Sequence, residues 1–188
     1  MRPMARPLKK WMVILLAACL SGFFPAHPVR VLAEDPPGAE DDGRQLFEGF
    51  LYFTDREGSH LKAWPRQFPA GLESHDLGMK ILGSLMAGPM DPDLESAWPE
   101  DTAIRAFFIA DDGRAWVDLA MEDQRSGKME NTDTLSELLA VYSVVNSLTL
   151  NIPRVRQVKI LVNGSDVASL GGHVSLEYFF KTNMLIVK

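Results

Sequence analysis

Residues 134–150 leave this chain the least freedom. Leu135, Leu138, Leu139, Tyr142, Val145 and Leu148 recur at the helical period, and Pro153 lies just beyond, so the spacing predicts a helix over Thr134–Leu150. Thr134 and Glu137 have the spacing of a capping box, which accounts for an acid at the helix start. A helix with such a stripe must bury it against a second layer. Val155–Val162 reads as a strand closing on Asn163–Gly164.

The preceding residues supply the rest of that layer. Ile104–Ala110 and Arg114–Leu119 flank Asp111–Asp–Gly113, a hairpin signal. Leu77, Ile81 and Leu85 at steps of four predict a helix over 74–87, stopped by Gly88–Pro89. Phe47–Thr54 is an aromatic-rich strand. Leu61–Phe68 is an irregular or edge strand because of Pro65. Weaker strand character shows at Val174–Leu176 and Leu185–Val187. The order β-β-α-β-β-α-β predicts an α+β two-layer sandwich, with two helices on one face of a mixed sheet of about four or five strands.

The N-terminus belongs to something else. Basic residues through Lys10 precede an apolar run over residues 11–24, too short to span a bilayer, which takes about 20 residues. This is the pattern of an export signal. Leu16–Ala–Ala–Cys19 looks like a bacterial lipobox, making Cys19 a lipid-attachment residue and the leader residues 1–18. Val31–Leu–Ala33 looks like an ordinary cleavage site after Ala33, making the leader residues 1–33. Both remain open. Residues 34–45 are acidic and rich in Pro and Gly, a flexible linker. The domain proper is expected over 46–182, with 183–188 a tail or short strand. Cys19 is the sole cysteine, so no intrachain disulfide forms.

Charge narrows the function. The first 33 residues hold five bases and no acid, and the remainder holds 14 bases against 25 acids, a balance of −11. A surface of that sign is repelled by nucleic acid, and no basic stripe offsets it. Any membrane contact is expected only through a lipid at Cys19.

Chemistry-bearing residues are few. Asp118 stands at a strand end, with Glu122 and Asp123 just after it, the arrangement of a carboxylate site. Alternation with Val117 and Leu119 equally makes Asp118 an outward-facing residue at the wet end of a strand. His60, His75 and His173 lie in a turn, near a helix start and in a glycine loop, without the spacing of metal ligands. His173, beside Gly171–Gly172, is the one with the least ordinary setting. No nucleophile elbow or phosphate loop occurs, and no catalytic residue, metal or cofactor is expected. Phe50, Tyr52, Phe107 and Trp116 fall at strand periods and read as core.

Several stretches in order resemble the GerMN (Germane) domain family. They are Leu51–Tyr–Phe, Leu82–Gly–Ser–Leu–Met–Ala–Gly–Pro89, Ala97–Trp–Pro–Glu100 and Ala115–Trp–Val–Asp–Leu119. Glu137–Leu–Leu–Ala–Val–Tyr–Ser–Val–Val–Asn–Ser–Leu148, Val155–Arg–Gln–Val–Lys–Ile–Leu–Val–Asn–Gly164 and Leu170–Gly–Gly–His173 complete the set. The resemblance implies an extracytoplasmic, often membrane-anchored binding module with no established catalysis. Two positions depart from the family pattern: Ala120, where a serine is common, and Ser147, where a threonine is frequent. Sporulation itself is not carried over, because the domain also occurs in bacteria that form no spores.

The expected function is therefore an exported, periplasmic or extracytoplasmic, non-catalytic module that binds another envelope protein. Two alternatives are an envelope hydrolase using Asp118 with Glu122 or Asp123, and a small-ligand or glycan binder using Trp64, Trp98 or Trp116.

Overall fold

The computed structural model describes residues 45–121 and 133–188. The element order is β1 (Leu46–Asp55), β2 (Leu61–Pro69), α1 (Ser74–Met86), β3 (Leu94–Glu95), β4 (Ala103–Ile109), β5 (Arg114–Ala120), α2 (Thr134–Thr149) and β6 (Gln157–Val162). The α+β class is what the sequence predicts. The strands are divided between two sheets, ordered β2-β1-β3 and β4-β5-β6. The first is antiparallel; the second is mixed, because β6 returns parallel to β5 after α2. The two-residue β3 is too short to show any period in sequence.

Helix α2 is the rib of the domain. From Leu139 to Leu148 every residue but Tyr142 is buried, so the helix is enclosed nearly all round. Ala140, Val141, Val144, Val145 and Leu148 join the main core with Leu51 and Phe53 of β1 and Val158 and Ile160 of β6. Leu135, placed on the apolar stripe by its spacing, is instead exposed. The capping box is a misreading. Asp133 is the N-cap, its carboxylate accepting the Ser136 N–H at 2.7 Å, while Glu137 turns inward.

Polar side chains on α2 face strand β1. The Asp55 N–H donates to His60 O, which fixes alternate residues of β1 as facing β2 and leaves Phe50 and Tyr52 facing away. The Tyr52 N–H donates to Ser147 Oγ at 3.1 Å. Just past the helix, Asn151 accepts the Phe50 N–H at 2.9 Å and donates back to Phe50 O at 2.7 Å. Two side chains thus stand in for a missing strand and keep these backbone groups paired.

Beyond β6 the chain forms no helix or strand. Val174–Leu176 and Leu185–Val187, read as weak strands, make no ladder; isolated bridges Val158↔Phe180 and Leu61↔Val187 take their place. Side chains fasten this segment instead. Asn146 donates to Asn183 O at 2.8 Å and accepts the Asn183 N–H at 2.9 Å, and Tyr142 packs edge-on against Phe180.

Helix α1 lies against β4 through Gly78, where a Cβ would stand inside the Phe107 ring. Two effects oppose each other in Gly78→Ala: helix propensity favours alanine by about 1 kcal/mol, while overpacking costs about 1–3 kcal/mol. The ring has no room to retreat, since Phe107 is 1% exposed. Thermal unfolding should show a net loss of stability for Gly78→Ala, reduced in a Phe107→Leu background; an equal loss in both would contradict the steric account.

Candidate functional site

Strand β5 sends Ala115, Val117 and Leu119 into the core and Asp118 to the opposite face. Even so, Asp118 is only 8% exposed. Its Oδ1 accepts the Gly164 N–H at 2.8 Å, and its Oδ2 lies 3.2 Å from Arg105 Nη1. Arg105 comes from a bulge in β4, where the register shifts between Ile104 and Ala106. Gly164 follows Asn163 in the turn after β6, both with positive φ. Asp118 therefore ties three strands together, with both oxygens engaged. Glu122 and Asp123, its suggested catalytic companions, lie outside the described residues.

The more unusual carboxylate is Glu137, which is fully buried. Its Oε1 accepts the Leu170 N–H at 2.7 Å; its Oε2 accepts the His173 and Val174 N–H groups at 2.9 and 3.1 Å. The His173 ring places Nδ1 3.4 Å from Oε2 and is 39% exposed. Burial works against ionisation here, but the N–H groups of Gly171, His173, Leu170 and Val174 outweigh it and hold the carboxyl below the ordinary glutamate range. The carboxylate is thus the nucleus around which the Leu170–Val174 loop is wrapped. An acid set among Leu135, Leu138 and Leu139 was the available signal, and the capping-box spacing concealed it.

Asp55 repeats the device in the β1–β2 turn. It accepts the Ser59 and His60 N–H groups at 2.7 and 3.0 Å and the Ser59 hydroxyl at 3.0 Å. Burial again opposes ionisation; these donors, with the His60 ring nearby, bring Asp55 down to about 2. His75 stacks on Phe107 with ring centroids 6.0 Å apart. The three histidines are not brought together, and among the described residues no group of three His, Cys, Asp or Glu converges as metal ligands.

The tryptophans differ in setting. Trp98 is buried, its indole N–H donating to Ser143 Oγ at 3.0 Å. Trp116 is half-buried, with Phe179 edge-on at 5.2 Å and the Arg114 guanidinium 5.6 Å over its ring. Trp64 is half-buried against the main core. Among the described residues, two of the depressions that open to the surface flank α1. One, of about 280 Å³, lies where α1 begins beside Phe108, Ile109 and Arg154; the other, of about 380 Å³, lies between Arg66–Pro69 and α1. Neither contains Asp118, Glu137 or His173. Among the described residues no helix is long and apolar enough to cross a membrane.

The family model Germane, described as "Sporulation and spore germination", matches residues 50–168. Among solved structures, the chain is similar to a candidate lipoprotein from Clostridium perfringens, at 23% identity and a TM-score of 0.51, covering 73% of this chain and 87% of that one. It is also similar to the first GerMN domain of the sporulation protein GerM from Bacillus subtilis, at 22% identity and a TM-score of 0.51, covering 71% of this chain and 97% of that domain. The tandem GerMN domains of GerM give 22% identity and a TM-score of 0.55, covering 72% of this chain and 46% of theirs. The chain thus spans less than half of the tandem structure. Likeness at these identities speaks for the fold. Among curated proteins nothing matches the chain.

Proposed function

The chain belongs to the Germane family, and from that premise we propose that it is an exported, non-catalytic module that acts by binding another protein of the cell envelope. The observation carrying this reading is the engagement of its acids. Asp55, Asp118 and Glu137 each hold backbone N–H groups of a turn or loop, an arrangement that orders structure and keeps these three carboxylates engaged. The N-terminal sequence supports export, through Cys19 as lipid anchor or cleavage after Ala33. A Clostridium perfringens relative described as a candidate lipoprotein agrees with an extracytoplasmic setting. The family's description places its members' work in sporulation and germination. The part proposed for this chain is the contact it makes, whichever envelope process uses it.

A hydrolase using Asp118 draws no support from a carboxylate with both oxygens occupied. A glycan platform draws none from Trp98, which lies in the core.

The test is cross-linking of the full chain on intact cells, followed by identification of the adducts, with an unrelated exported domain as control. One envelope protein enriched over the control is expected. Adducts no different from the control, together with release of fragments from cell-wall material by the purified domain, would overturn the reading. Intact mass of wild type beside Cys19→Ala in the same membrane fractions separates a lipid-anchored form from a soluble one.

A further inference from the structure

Among the described residues most sheet edges are paired or interrupted by proline. The outer edge of β2 is paired at Leu61, whose N–H donates to Ile186 O and whose carbonyl accepts the Lys188 N–H. Farther along, Pro65 and Pro69 take two of its four remaining outward-facing positions and offer no N–H there, which interrupts the edge around Ala63 and Gln67. The second edge of β1 is capped by Asn151, Ser147 and β3. The outer edge of β6 is pinned by Phe180 at Val158 and by Ser165 at Val162.

Strand β4 has no such cover. Its Ala110 end donates to Arg114 O at 2.8 Å, so Phe108 and Ala106 face β5 while Phe107 and Ile109 turn their backbone groups to the opposite edge. Among the described residues nothing pairs with those groups. The strand, Ala–Ile–Arg–Ala–Phe–Phe–Ile, contains no proline, and Phe108 is 60% exposed. The depression of about 280 Å³ runs beside its Phe108–Ile109 end, bordered by His75 and Glu73 at the start of α1. Past the bulge at Arg105, an unpaired edge beside a shallow apolar depression suits an added strand.

We propose that the outer edge of β4 is the docking edge for the partner, and that it takes an extended segment with Lys or Arg at its ends and apolar residues between. This rests on the binding reading above. Charge selects the occupant. Arg105, Arg114 and Arg154 are already paired with Asp118, Asp112 and Asp111. Glu100 and Asp101 at one end of β4, and Glu73 at the other, have no basic partner among the described residues. A second copy of this chain, laid antiparallel across a two-fold axis, would set carboxylates at one end against carboxylates at the other. A basic-ended strand of about six residues, roughly 20 Å long, meets them with opposite charge.

The probe is a synthetic peptide of alternating valine and threonine with lysine at both ends, beside its glutamate-ended counterpart, titrated to millimolar concentration into the 15N-labelled full chain. Amide shifts and exchange protection should concentrate at Phe107 and Ile109, with the glutamate peptide at least about tenfold weaker. Ile109→Pro, which removes an outward N–H and no bond to β5, should abolish binding; Ile109 also packs on the main core, so Ile109→Ala is the matched control for lost packing and should still bind. Glu73→Lys with Asp101→Lys should reverse the preference between peptides, a readout that holds if the proline variant is unstable. No shift at these amides, no dependence on peptide charge, or a concentration-dependent dimer lost in Ile109→Pro would each overturn the proposal. Envelope cross-links that persist in Ile109→Pro would leave the binding function standing and remove β4 from it.

Discussion

Glu137→Ala is expected to lower the unfolding free energy by about 3 kcal/mol, the upper end for losing hydrogen bonds to a charged group. The substitution strands the N–H groups of Leu170, His173 and Val174, which converge on one carboxylate and have no described acceptor in its place. Glu137→Gln should cost less, because one oxygen remains to accept while the amide NH₂ faces donors. The same geometry fixes the pH dependence. Glu137 has its folded pKa below its unfolded value, so its contribution is complete above the ordinary glutamate value of about 4.3 and is lost as pH falls through the depressed value. Asp55, brought down to about 2, follows the same sign. Urea unfolding from pH 7 downward should therefore show stability falling on the acid side below about pH 4.5, with a shallower fall in Glu137→Gln. A wild-type profile flat down to pH 2 would contradict this.

Trp98→Ala is the second large effect, expected at about 3–5 kcal/mol for removing a buried indole from a core that cannot fully collapse. Trp98 is 4% exposed and packs with α1 and α2 residues of the main core. Its chain segment is further fixed by Ser96, whose hydroxyl accepts the Trp98 N–H at 3.2 Å and donates to Trp98 O at 3.1 Å. Trp98→Phe separates the terms: most of the area stays, the Ser143 bond goes, and the loss should be about 1 kcal/mol. Chemical denaturation of both variants checks it. A Trp98→Ala protein as stable as wild type would place the indole outside the core and reopen its use as a ligand platform.

What was legible in the sequence was whatever local periodicity encodes. The α2 segment, the β4–β5 hairpin and the two N-terminal strands all emerge from the spacing of apolar residues over one or two turns. What escaped depends on residues far apart. Glu137 matches a capping box locally, but the groups it binds lie 33 to 37 residues downstream. Asp118 does face away from the core as alternation predicts; it is covered because Arg105 reaches over from a bulge and Gly164 from a turn. The segment after β6 has no period because Glu137, Asn146 and Phe180 hold it by side chains and isolated bridges. Two of the stretches that resemble the family, the Glu137 helix and Leu170–Gly–Gly–His173, are the two halves of one contact.

That contact carries the central claim, that the buried carboxylates of this domain fasten loops. Amide hydrogen exchange at Leu170, His173 and Val174, in wild type and Glu137→Gln at neutral pH, tests it most directly. The account predicts protection at all three in wild type. In the variant it predicts a loss at least about tenfold greater than at Val158 and Phe180, which are paired independently of Glu137. Equal exchange at the three amides in both proteins would contradict it, and would return Glu137 and His173 to the set of residues free to do chemistry.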